Sequence, residues 1–189
     1  MIKILELFGG IGSPRVALRN LGVPTKAIDY VEIDEKAVKS YNAMFAQELG
    51  YKTQSVVNYD LKPDILIHGS PCQDISGIGL KKGAEQGSGT RSSLMWETVH
   101  IIEQMGEWKP KYVIWENVKG LLSKTMRKNF ESYLDYMEKL GYTNSFETLD
   151  ARDFGIPQAR ERVFTVSVLG DEAFDFKGLE KSIMRPITE

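Results

Sequence analysis

Short apolar runs alternate along the chain with stretches in which apolar residues recur at helical spacing. Continuous apolar runs are typical of strands buried in a parallel sheet, whereas a period of about 3.6 residues indicates an amphipathic helix. The runs predict strands at residues 2–8, 26–31, 53–57, 65–68, 112–115, 145–149 and 163–168. The helical spacing predicts helices at residues 14–21, 35–47, 93–105 and 130–140.

The starts of the first two helices carry local signals. Ser13 followed by Pro14 suits an N-cap and a first helical position, and Asp34 can cap the second helix. Because strands and helices alternate, the sequence predicts an α/β domain with a doubly wound, mostly parallel sheet of the Rossmann-like type. We expect this domain to span residues 1–170, with residues 171–189 as a tail or the start of a further region.

Composition and charge limit the functions open to the chain. The 189 residues include one cysteine, so an internal disulfide is excluded and a reducing, cytoplasmic setting is expected. No apolar run reaches the ~18 residues of a membrane span, and no secretory signal precedes the first strand. The net charge of -2 gives no overall attraction to nucleic acid, so such binding would depend on local patches. One basic patch comprises Lys119, Lys124, Arg127 and Lys128, although such a run more often forms a solvated helix surface.

The first strand runs into a glycine-rich turn, residues 6–13, with the sequence Glu-Leu-Phe-Gly-Gly-Ile-Gly-Ser. Glycines between a strand and a helix allow a cofactor to approach the backbone, although a tight turn that serves packing alone is the alternative. The spacing is not G-x-G-x-x-G, because Arg15 stands where the last glycine would be when Gly10 is the first. A nicotinamide-dependent oxidoreductase is therefore disfavoured.

Two residues that follow the second strand suit an adenosine group. Glu32 could accept hydrogen bonds from two ribose hydroxyls, and Ile33 could lie against an adenine ring. A carboxylate that stabilises the dipole of the following helix is an equally good interpretation of Glu32.

The single cysteine, Cys72, lies beyond the fourth strand in the sequence Gly-Ser-Pro-Cys-Gln-Asp, beside a glycine-rich stretch at residues 77–89. Ligands of an open parallel sheet bind beyond the carboxyl ends of its strands. A thiolate at that edge can act as a nucleophile, whereas a lone cysteine elsewhere is usually an inert core residue. His68, at the end of the same strand, is expected to pack in the core rather than act as a base.

Further polar residues occupy comparable positions later in the chain. Glu116 follows the fifth predicted strand and would emerge at the same edge as Cys72, where a carboxyl group can protonate a ring nitrogen. Gln158, Arg160 and Arg162 would share one face of a strand, and two such arginines can hold phosphates or a base carbonyl. A capping carboxylate and an exposed edge strand are the alternative interpretations.

Taken in this order, these segments resemble the motif set of the cytosine-C5 DNA methyltransferase family. The matching segments are Ser70-Pro71-Cys72-Gln73, Glu116-Asn117-Val118 and Gln158-Ala159-Arg160-Glu161-Arg162, and residues 6–13 resemble the family's first motif. The resemblance covers about residues 1–170. It implies the fold of an S-adenosylmethionine-dependent methyltransferase, S-adenosylmethionine as the methyl donor, and a cytosine flipped out of duplex DNA as the substrate. It implies neither a metal nor a membrane.

The resemblance gives each matched position a role. Cys72 would attack C6 of the cytosine, and Glu116 would hold its N3. Arg162 would hold the side of the ring that carries O2, and Arg160 would brace the loop. The positions that match the donor site are Phe8, Gly9, Gly10, Ile11, Gly12, Glu32, Ile33, Pro71 and Leu94. The positions that match contacts to the substrate are Ser76, Arg91, Asn117 and Gln158.

The sequence departs from the family's pattern in two respects. Glu6 and Ser13 stand where the family usually has aspartate and glycine, and Ser55 stands where an acidic residue contacts the adenine, with Asp60 nearby. Family members also continue into a target-recognition region and further motifs, so target recognition is expected to come from elsewhere, and a second chain is one candidate source. The alternatives are an accessory or incomplete subunit of a split enzyme, a fragment or decayed gene product, and an RNA cytosine-C5 methyltransferase. The family suggests a bacterial or phage-type setting.

Overall fold

The computed structural model describes residues 1–45, 51–53, 63–70 and 94–182. The strands are β1 (Ile2–Leu7), β2 (Thr25–Val31), β3 (Ile65–His68), β4 (Tyr112–Val118), β5 (Tyr142–Asp150) and β6 (Glu161–Leu169). The helices are α1 (Ser13–Asn20), α2 (Glu35–Met44), α3 (Leu94–Gln104) and α4 (Arg127–Lys139). Short 3-10 turns occupy Gly106–Trp108, Lys119–Leu122, Ala151–Asp153 and Phe176–Gly178. No helix in these described ranges has the length and apolar character that crossing a membrane requires.

Within the described residues, the predicted order of strands and helices is confirmed, and the boundaries differ most in the second half of the chain. β4 continues to Val118, beyond its predicted end, because its last residues pair with β6 as far as Arg162. Polar residues after an apolar run look like the start of a loop, but antiparallel pairing keeps them in the sheet. Glu116 and Asn117 therefore lie within a strand. The strand predicted at residues 53–57 falls largely outside the described residues.

The two predicted helix caps have different outcomes. The prediction that Ser13 caps α1 is wrong, because Gly12 precedes the helix with a φ of 81° and Ser13 is the first helical residue. A left-handed residue at that position suits glycine, which has no side chain to accept a helix N–H. The Asp34 cap of α2 is confirmed, since its carboxylate accepts hydrogen bonds from the N–H groups of Lys36 at 2.7 Å and Ala37 at 3.2 Å.

The sheet has a topological switch point beside β1, because β2 is added on one side of β1 and β3 on the other. The order is β2-β1-β3-β4-β6-β5. Neighbouring strands from β2 to β4 are parallel, and β6 is antiparallel to both β4 and β5. Five strands therefore run in one direction, which confirms the predicted α/β class with a mostly parallel sheet. Ligands of such sheets bind beyond the carboxyl ends of the strands where the order reverses, here between β1 and β3.

Helices cover both faces of the sheet. Tyr30 of β2 packs in a cluster with Val38, Tyr41 and Phe45, which come from α2 and the residue after it. Val31, the next residue of β2, belongs to a larger cluster that α3 and α4 fill. Because successive side chains of a strand point to opposite faces, the two clusters lie on opposite sides of the sheet, as a doubly wound fold requires. The larger cluster includes Leu5, Leu7, Leu66, Met95, Val99, Ile102, Val113, Trp115, Phe130, Tyr133, Met137 and Val163.

The chain after β6 folds back toward the turn that precedes this strand. The Ser182 N–H donates to the Asp153 carbonyl at 3.0 Å, and Lys181 forms an ion pair with the Asp153 carboxylate at 2.9 Å. Phe174 and Phe176 contact each other edge to face, with ring centroids 4.9 Å apart. The end of the described chain is therefore attached beside the connection from β5 to β6, although its sequence shows no periodic pattern.

His68 ends β3 beside the larger cluster and is 1% exposed. Its ring stacks on Trp115 with centroids 5.5 Å apart, and Nε2 lies 3.4 Å from the Tyr133 hydroxyl. Burial disfavours the charged imidazolium and lowers the pKa of His68 to about 3. His68 is therefore a neutral packing residue, as the sequence predicts.

We expect His68→Phe to remove a pH dependence of stability. The unfolded wild type binds a proton on His68 below pH ~6.5, whereas the folded protein excludes that proton until about pH 3. The stability associated with the neutral imidazole is thus complete above pH ~6.5 and is lost as the pH falls toward about 3. Urea unfolding measures this difference. Between about pH 7.5 and about pH 5, the free energy of unfolding of the wild type should fall by ~2 kcal/mol more than that of the variant.

His100, the other of the two histidines, is present in both proteins, so whatever it contributes cancels when the two pH profiles are compared. A His68→Phe variant whose stability changes with pH as the wild type does would contradict the burial of a neutral imidazole.

Candidate active site

The turn after β1 has a backbone that few residue types adopt. Phe8, Gly10 and Gly12 have φ angles of 55°, 53° and 81°, all in the left-handed region. Phe8 is the one non-glycine residue with positive φ in the described part of the chain, and such strain concentrates at functional sites. The Gly12 N–H donates to the Gly9 carbonyl at 2.9 Å, and the Gly9 N–H donates to the Val31 carbonyl at 3.3 Å. The turn is thereby fixed to the end of β2.

The glycines of this turn differ in their surroundings. A Cβ on Gly9 would lie 2.6 Å from the Tyr30 ring, and a Cβ on Gly12 would lie 2.5 Å from the Tyr41 ring. A Cβ on Gly10 would meet no described atom within 4 Å. The Tyr30 hydroxyl also donates a hydrogen bond to the Gly10 carbonyl. Among the described residues, the turn is therefore pressed against aromatic rings on one side and open at Gly10, a shape that lets a cofactor approach the backbone.

A buried polar network lies beneath the turn. The Glu6 carboxylate is 1% exposed and accepts a hydrogen bond from the Tyr41 hydroxyl at 2.9 Å. Arg15 donates to the same hydroxyl at 2.8 Å, and its guanidinium lies 4.7 Å from the centre of the Phe45 ring. Burial raises the pKa of Glu6, although the Tyr41 hydrogen bond and the charge of Arg15 oppose that shift. Glu6 therefore supports the turn from inside the fold.

Arg15, Tyr30 and Tyr41 are site residues that sequence reasoning missed. In the sequence they look like ordinary helix and strand residues, because only the packing of α1 and α2 on β2 brings them together. A usable signal is an arginine on the helix that follows a glycine-rich turn, when an acidic residue lies in the strand before that turn.

Glu32 joins the end of β2 to the glycine-rich turn. One carboxylate oxygen accepts a hydrogen bond from the Gly10 N–H at 3.0 Å. The other accepts from the N–H groups of Ile33 at 2.8 Å and Asp34 at 3.0 Å. The carboxylate thus helps to start α2, which is one of its two predicted roles, and it also borders the turn. The neighbouring Ile33 side chain is 73% exposed.

The ends of β1 and β3 meet the side of β4 next to this turn. The N–H of Gly69, which follows β3, donates to the Leu7 carbonyl at 3.3 Å. A Cβ built on Gly69 would lie 3.8 Å from a carboxylate oxygen of Glu116 and 3.9 Å from the Phe8 carbonyl oxygen. The segment that leads to Cys72 therefore starts beside Glu116. Cys72 itself lies outside the described residues.

Glu116 faces two arginines. Its Oε1 lies 3.0 Å from Nε of Arg162 and 3.6 Å from a terminal nitrogen of Arg160. Arg162 pairs with Val118 in the antiparallel ladder, which places it diagonally opposite Glu116 on the same face of the sheet. The three side chains are 24% to 47% exposed, so the cluster is open to a ligand and its ion pairs are screened by solvent.

The prediction that Gln158, Arg160 and Arg162 share the face of a strand is wrong. The pairing of β5 with β6 ends where Asp150 meets Glu161, so the residues before Glu161 have no partner strand. Gln158 and Arg160 therefore belong to the connection between the strands, and Gln158 is exposed. Strand register holds Arg162 alone, whereas Arg160 reaches the same carboxylate from the connection.

The remaining predicted site residues lie apart from this cluster or beyond the described ranges. Asn117 is 4% exposed and accepts a hydrogen bond from the Val118 N–H at 2.7 Å, on the sheet face opposite Glu116. Leu94 is half-buried at the start of α3, against the larger cluster. The residues outside the described ranges are Ser55, Asp60, Pro71, Cys72, Ser76 and Arg91.

The basic patch is partly neutralised by nearby acidic residues. Lys119 lies 2.8 Å from the Glu161 carboxylate, and Arg127 lies 3.0 Å from the Glu131 carboxylate. Exposed pairs of this kind are individually weak, but they reduce the positive charge that the patch presents. The arrangement favours the interpretation of the patch as a solvated helix surface.

Known proteins resemble this chain over nearly its whole length. The family model for C-5 cytosine-specific DNA methylase matches residues 2–188. The type II methyltransferase M2.ScrFI of Lactococcus lactis subsp. cremoris is 35% identical over a gapped alignment of 232 positions, which spans 93% of this chain and 64% of that protein. The type II methyltransferase M.NlaX of Neisseria lactamica is 36% identical over 179 residues, which cover 94% of this chain and 55% of that protein. The chain belongs to the C-5 cytosine-specific DNA methylase family.

Solved structures show the same fold. The methyltransferase EhMeth of Entamoeba histolytica matches with a TM-score of 0.73 and 21% identity, over 98% of this chain and 58% of that one. The Dnmt2 methyltransferase of S. pombe matches with a TM-score of 0.70 and 20% identity, over 92% of this chain and 51% of that one. This chain thus spans 51% to 64% of the length of these four proteins.

We expect Gly12→Ala to destabilise the fold more than Gly10→Ala. Both residues have positive φ, so alanine at either position costs about 1 kcal/mol or more in backbone strain. At Gly12 the new methyl group must also displace the Tyr41 ring 2.5 Å away, whereas at Gly10 it enters open space. In urea unfolding, the free energy of unfolding of Gly12→Ala should be about 2 kcal/mol lower than that of Gly10→Ala. Equal losses in the two variants would contradict the packing of Tyr41 beneath the turn.

Proposed function

We propose that this chain transfers a methyl group from S-adenosylmethionine to C5 of a cytosine flipped out of duplex DNA. The observation that carries the proposal is the position of Glu116 and its two arginines. They lie beside the start of the Cys72 segment, at the edge where an open α/β sheet binds its ligands. Membership of the C-5 cytosine-specific DNA methylase family supports this chemistry and favours DNA over RNA as the substrate.

The methyl donor would occupy the open side of the glycine-rich turn. The space at Gly10 admits a ligand, the Glu32 carboxylate beside it suits ribose hydroxyls, and the exposed Ile33 side chain suits an adenine ring. When bound, S-adenosylmethionine supplies an electrophilic methyl group on a positively charged sulfur. The residues assigned to hold it are Phe8, Gly9, Gly10, Ile11, Gly12, Glu32, Ile33, Pro71 and Leu94.

Cys72 would activate the cytosine for methylation. C5 of cytosine is a poor nucleophile, so direct methyl transfer to it is slow. Addition of the Cys72 thiolate to C6 shifts the electrons of the C5–C6 double bond toward C4 and N3, which makes C5 enamine-like. Once C5 carries the methyl group, loss of its proton and expulsion of the thiolate restore the double bond.

Glu116 and its arginines would hold the polar edge of the ring. The Glu116 carboxyl can deliver a proton to N3, where electron density accumulates as the thiolate adds to C6. Arg162 lies 3.0 Å from that carboxylate and would donate to the neighbouring O2 carbonyl, while Arg160 would brace the connection before β6. Further contacts to the nucleic acid are assigned to Ser76, Arg91, Asn117 and Gln158.

Target recognition would come from protein beyond these 189 residues. The chain spans 64% and 55% of its two bacterial relatives, its net charge is -2, and half of its basic patch is ion-paired. A second chain, or further residues of a longer protein, would supply the surface that grips the duplex. The alternative within this proposal is an accessory subunit that is inactive without its partner. A bacterial or phage setting agrees with relatives from Lactococcus, Neisseria and a Bacillus phage.

A covalent trap tests the proposed chemistry. Duplex DNA containing 5-fluorocytosine should form a denaturation-resistant adduct with the chain in the presence of S-adenosylmethionine, because fluorine cannot leave C5 as a cation. Cys72→Ser should form no adduct, while its affinity for the donor stays within about twofold of the wild type. Denaturing electrophoresis measures the adduct, and titration calorimetry measures donor binding.

The possible outcomes separate the versions of the proposal. An adduct that persists in Cys72→Ser would exclude this cysteine as the nucleophile. An adduct that forms only after a target-recognition partner is added would identify the chain as one part of a split enzyme. Cys72→Ser with equal losses of adduct and donor affinity would place the cysteine in donor binding instead of bond formation.

We expect Glu116→Gln to slow methyl transfer by at least about 100-fold, because an amide cannot deliver a proton to N3. Glu161→Gln is the matched control, since Glu161 lies on the neighbouring strand and its carboxylate accepts hydrogen bonds from exposed Lys119. The control should keep the wild-type single-turnover rate, and both variants should keep the wild-type melting temperature. A wild-type rate in Glu116→Gln would remove Glu116 from the mechanism.

A further inference from the structure

A buried hydrogen bond joins β4 to the segment that follows β3. The indole N–H of Trp115 donates to the hydroxyl oxygen of Ser70 at 2.9 Å. Trp115 is 1% exposed and Ser70 is 7% exposed, so bulk water has little access to either group. An indole nitrogen can donate but cannot accept, and a buried donor needs an acceptor, so the bond fixes the relative position of the two residues.

Three aromatic residues hold the Trp115 ring in place. The His68 ring stacks on it with a centroid distance of 5.5 Å and an interplanar angle of 9°. The ring centroids of Tyr133 and Phe130 lie 4.4 Å and 5.9 Å from that of Trp115. Side chains in a close-packed protein interior sit in rotamer minima and interdigitate with their neighbours. The indole N–H is therefore a fixed point to which Ser70 is attached.

The two partners of this bond are close in sequence to groups of the proposed mechanism. Trp115 immediately precedes Glu116, whose side chain points to the opposite face of β4. Ser70 stands two residues before Cys72. The register of β3 with β4 pairs His68 with Trp115, so the bond lies just past the end of this parallel ladder.

We propose that Trp115 is a positioning residue, which fixes the start of the Cys72 segment through its hydrogen bond to Ser70. The N–H of Gly69, the residue before Ser70, donates a hydrogen bond to the Leu7 carbonyl at 3.3 Å and anchors the segment to β1. The Trp115 bond anchors it to β4 one residue further on, so the strands on both sides of β3 hold it. The position from which the chain continues toward Cys72 then depends on this bond. The inference rests on the proposed function of both groups.

The single cysteine of the chain allows this link to be tested without reference to catalysis. The rate of alkylation of Cys72 by iodoacetamide reports the environment of that thiol alone. Ser70→Ala removes the acceptor, Trp115→Phe removes the donor but keeps an aromatic ring, and the double variant removes both. The matched controls are Ser132→Ala, at an exposed serine of α4, and Trp108→Phe, at a tryptophan that is 62% exposed.

Each single variant is expected to change the alkylation rate constant of the folded protein by at least about threefold, and in the same direction. The double variant should match the single variants, because the second substitution removes a bond that is already lost. Adduct formation with 5-fluorocytosine DNA should slow by about tenfold or more, while donor affinity stays within about twofold. Both controls should behave as the wild type does.

A wild-type alkylation rate in Ser70→Ala would overturn the inference, and so would single-variant effects that multiply in the double variant. A lower melting temperature with an unchanged alkylation rate below the transition would indicate a role in stability alone and would equally overturn it. Ser70→Ala decides the question even where Trp115→Phe does not fold. If the wild type forms no adduct even after a target-recognition partner is added, the proposed function fails, whereas the alkylation rates still decide whether Trp115 and Ser70 are coupled.

Discussion

The parallel pairing of β1 with β2 on one side and β3 on the other brings the parts of the site together. Leu7 pairs with Val31 and with His68, so the residues that follow these three strands emerge at one edge of the sheet. Parallel neighbours need crossover connections, and each crossover returns the chain to the opposite edge before the next strand begins. The glycine-rich turn, the Glu32 carboxylate and the start of the Cys72 segment therefore lie side by side, although they are far apart in the sequence.

Buried polar contacts inside the fold determine the shape of the sheet edge at which these residues emerge. Glu6, Arg15 and Tyr41 support the glycine-rich turn, and the Trp115 indole holds Ser70 under the next segment. A polar group inside a protein is costly unless its partners are in place, so such contacts favour one arrangement of the backbone above them. The surface that a ligand would meet is thus set by side chains that the ligand does not touch.

Local features of the fold could be predicted from the sequence, and features that depend on pairing between distant strands could not. The Asp34 cap is encoded within four residues and is confirmed. The apolar pattern predicts that the strand ends before Glu116, because the strand extends further only through antiparallel pairing with β6. The alternation of Gln158, Arg160 and Arg162 suits one face of a strand, but an alternating pattern does not reveal where a partner strand stops. Arg15 and Trp115 went unrecognised because their polar contacts cross between elements.

The antiparallel register of β4 and β6 determines whether Glu116 and Arg162 can contact each other. One residue inserted into β6 ahead of Arg162 would turn that side chain to the opposite face of the sheet, because strand side chains alternate. In the connection between β5 and β6, strand pairing does not fix the number of residues ahead of Arg160. Changes in chain length during evolution are therefore tolerable in that connection and excluded from the first residues of β6, so the site can acquire new loops without losing its chemistry.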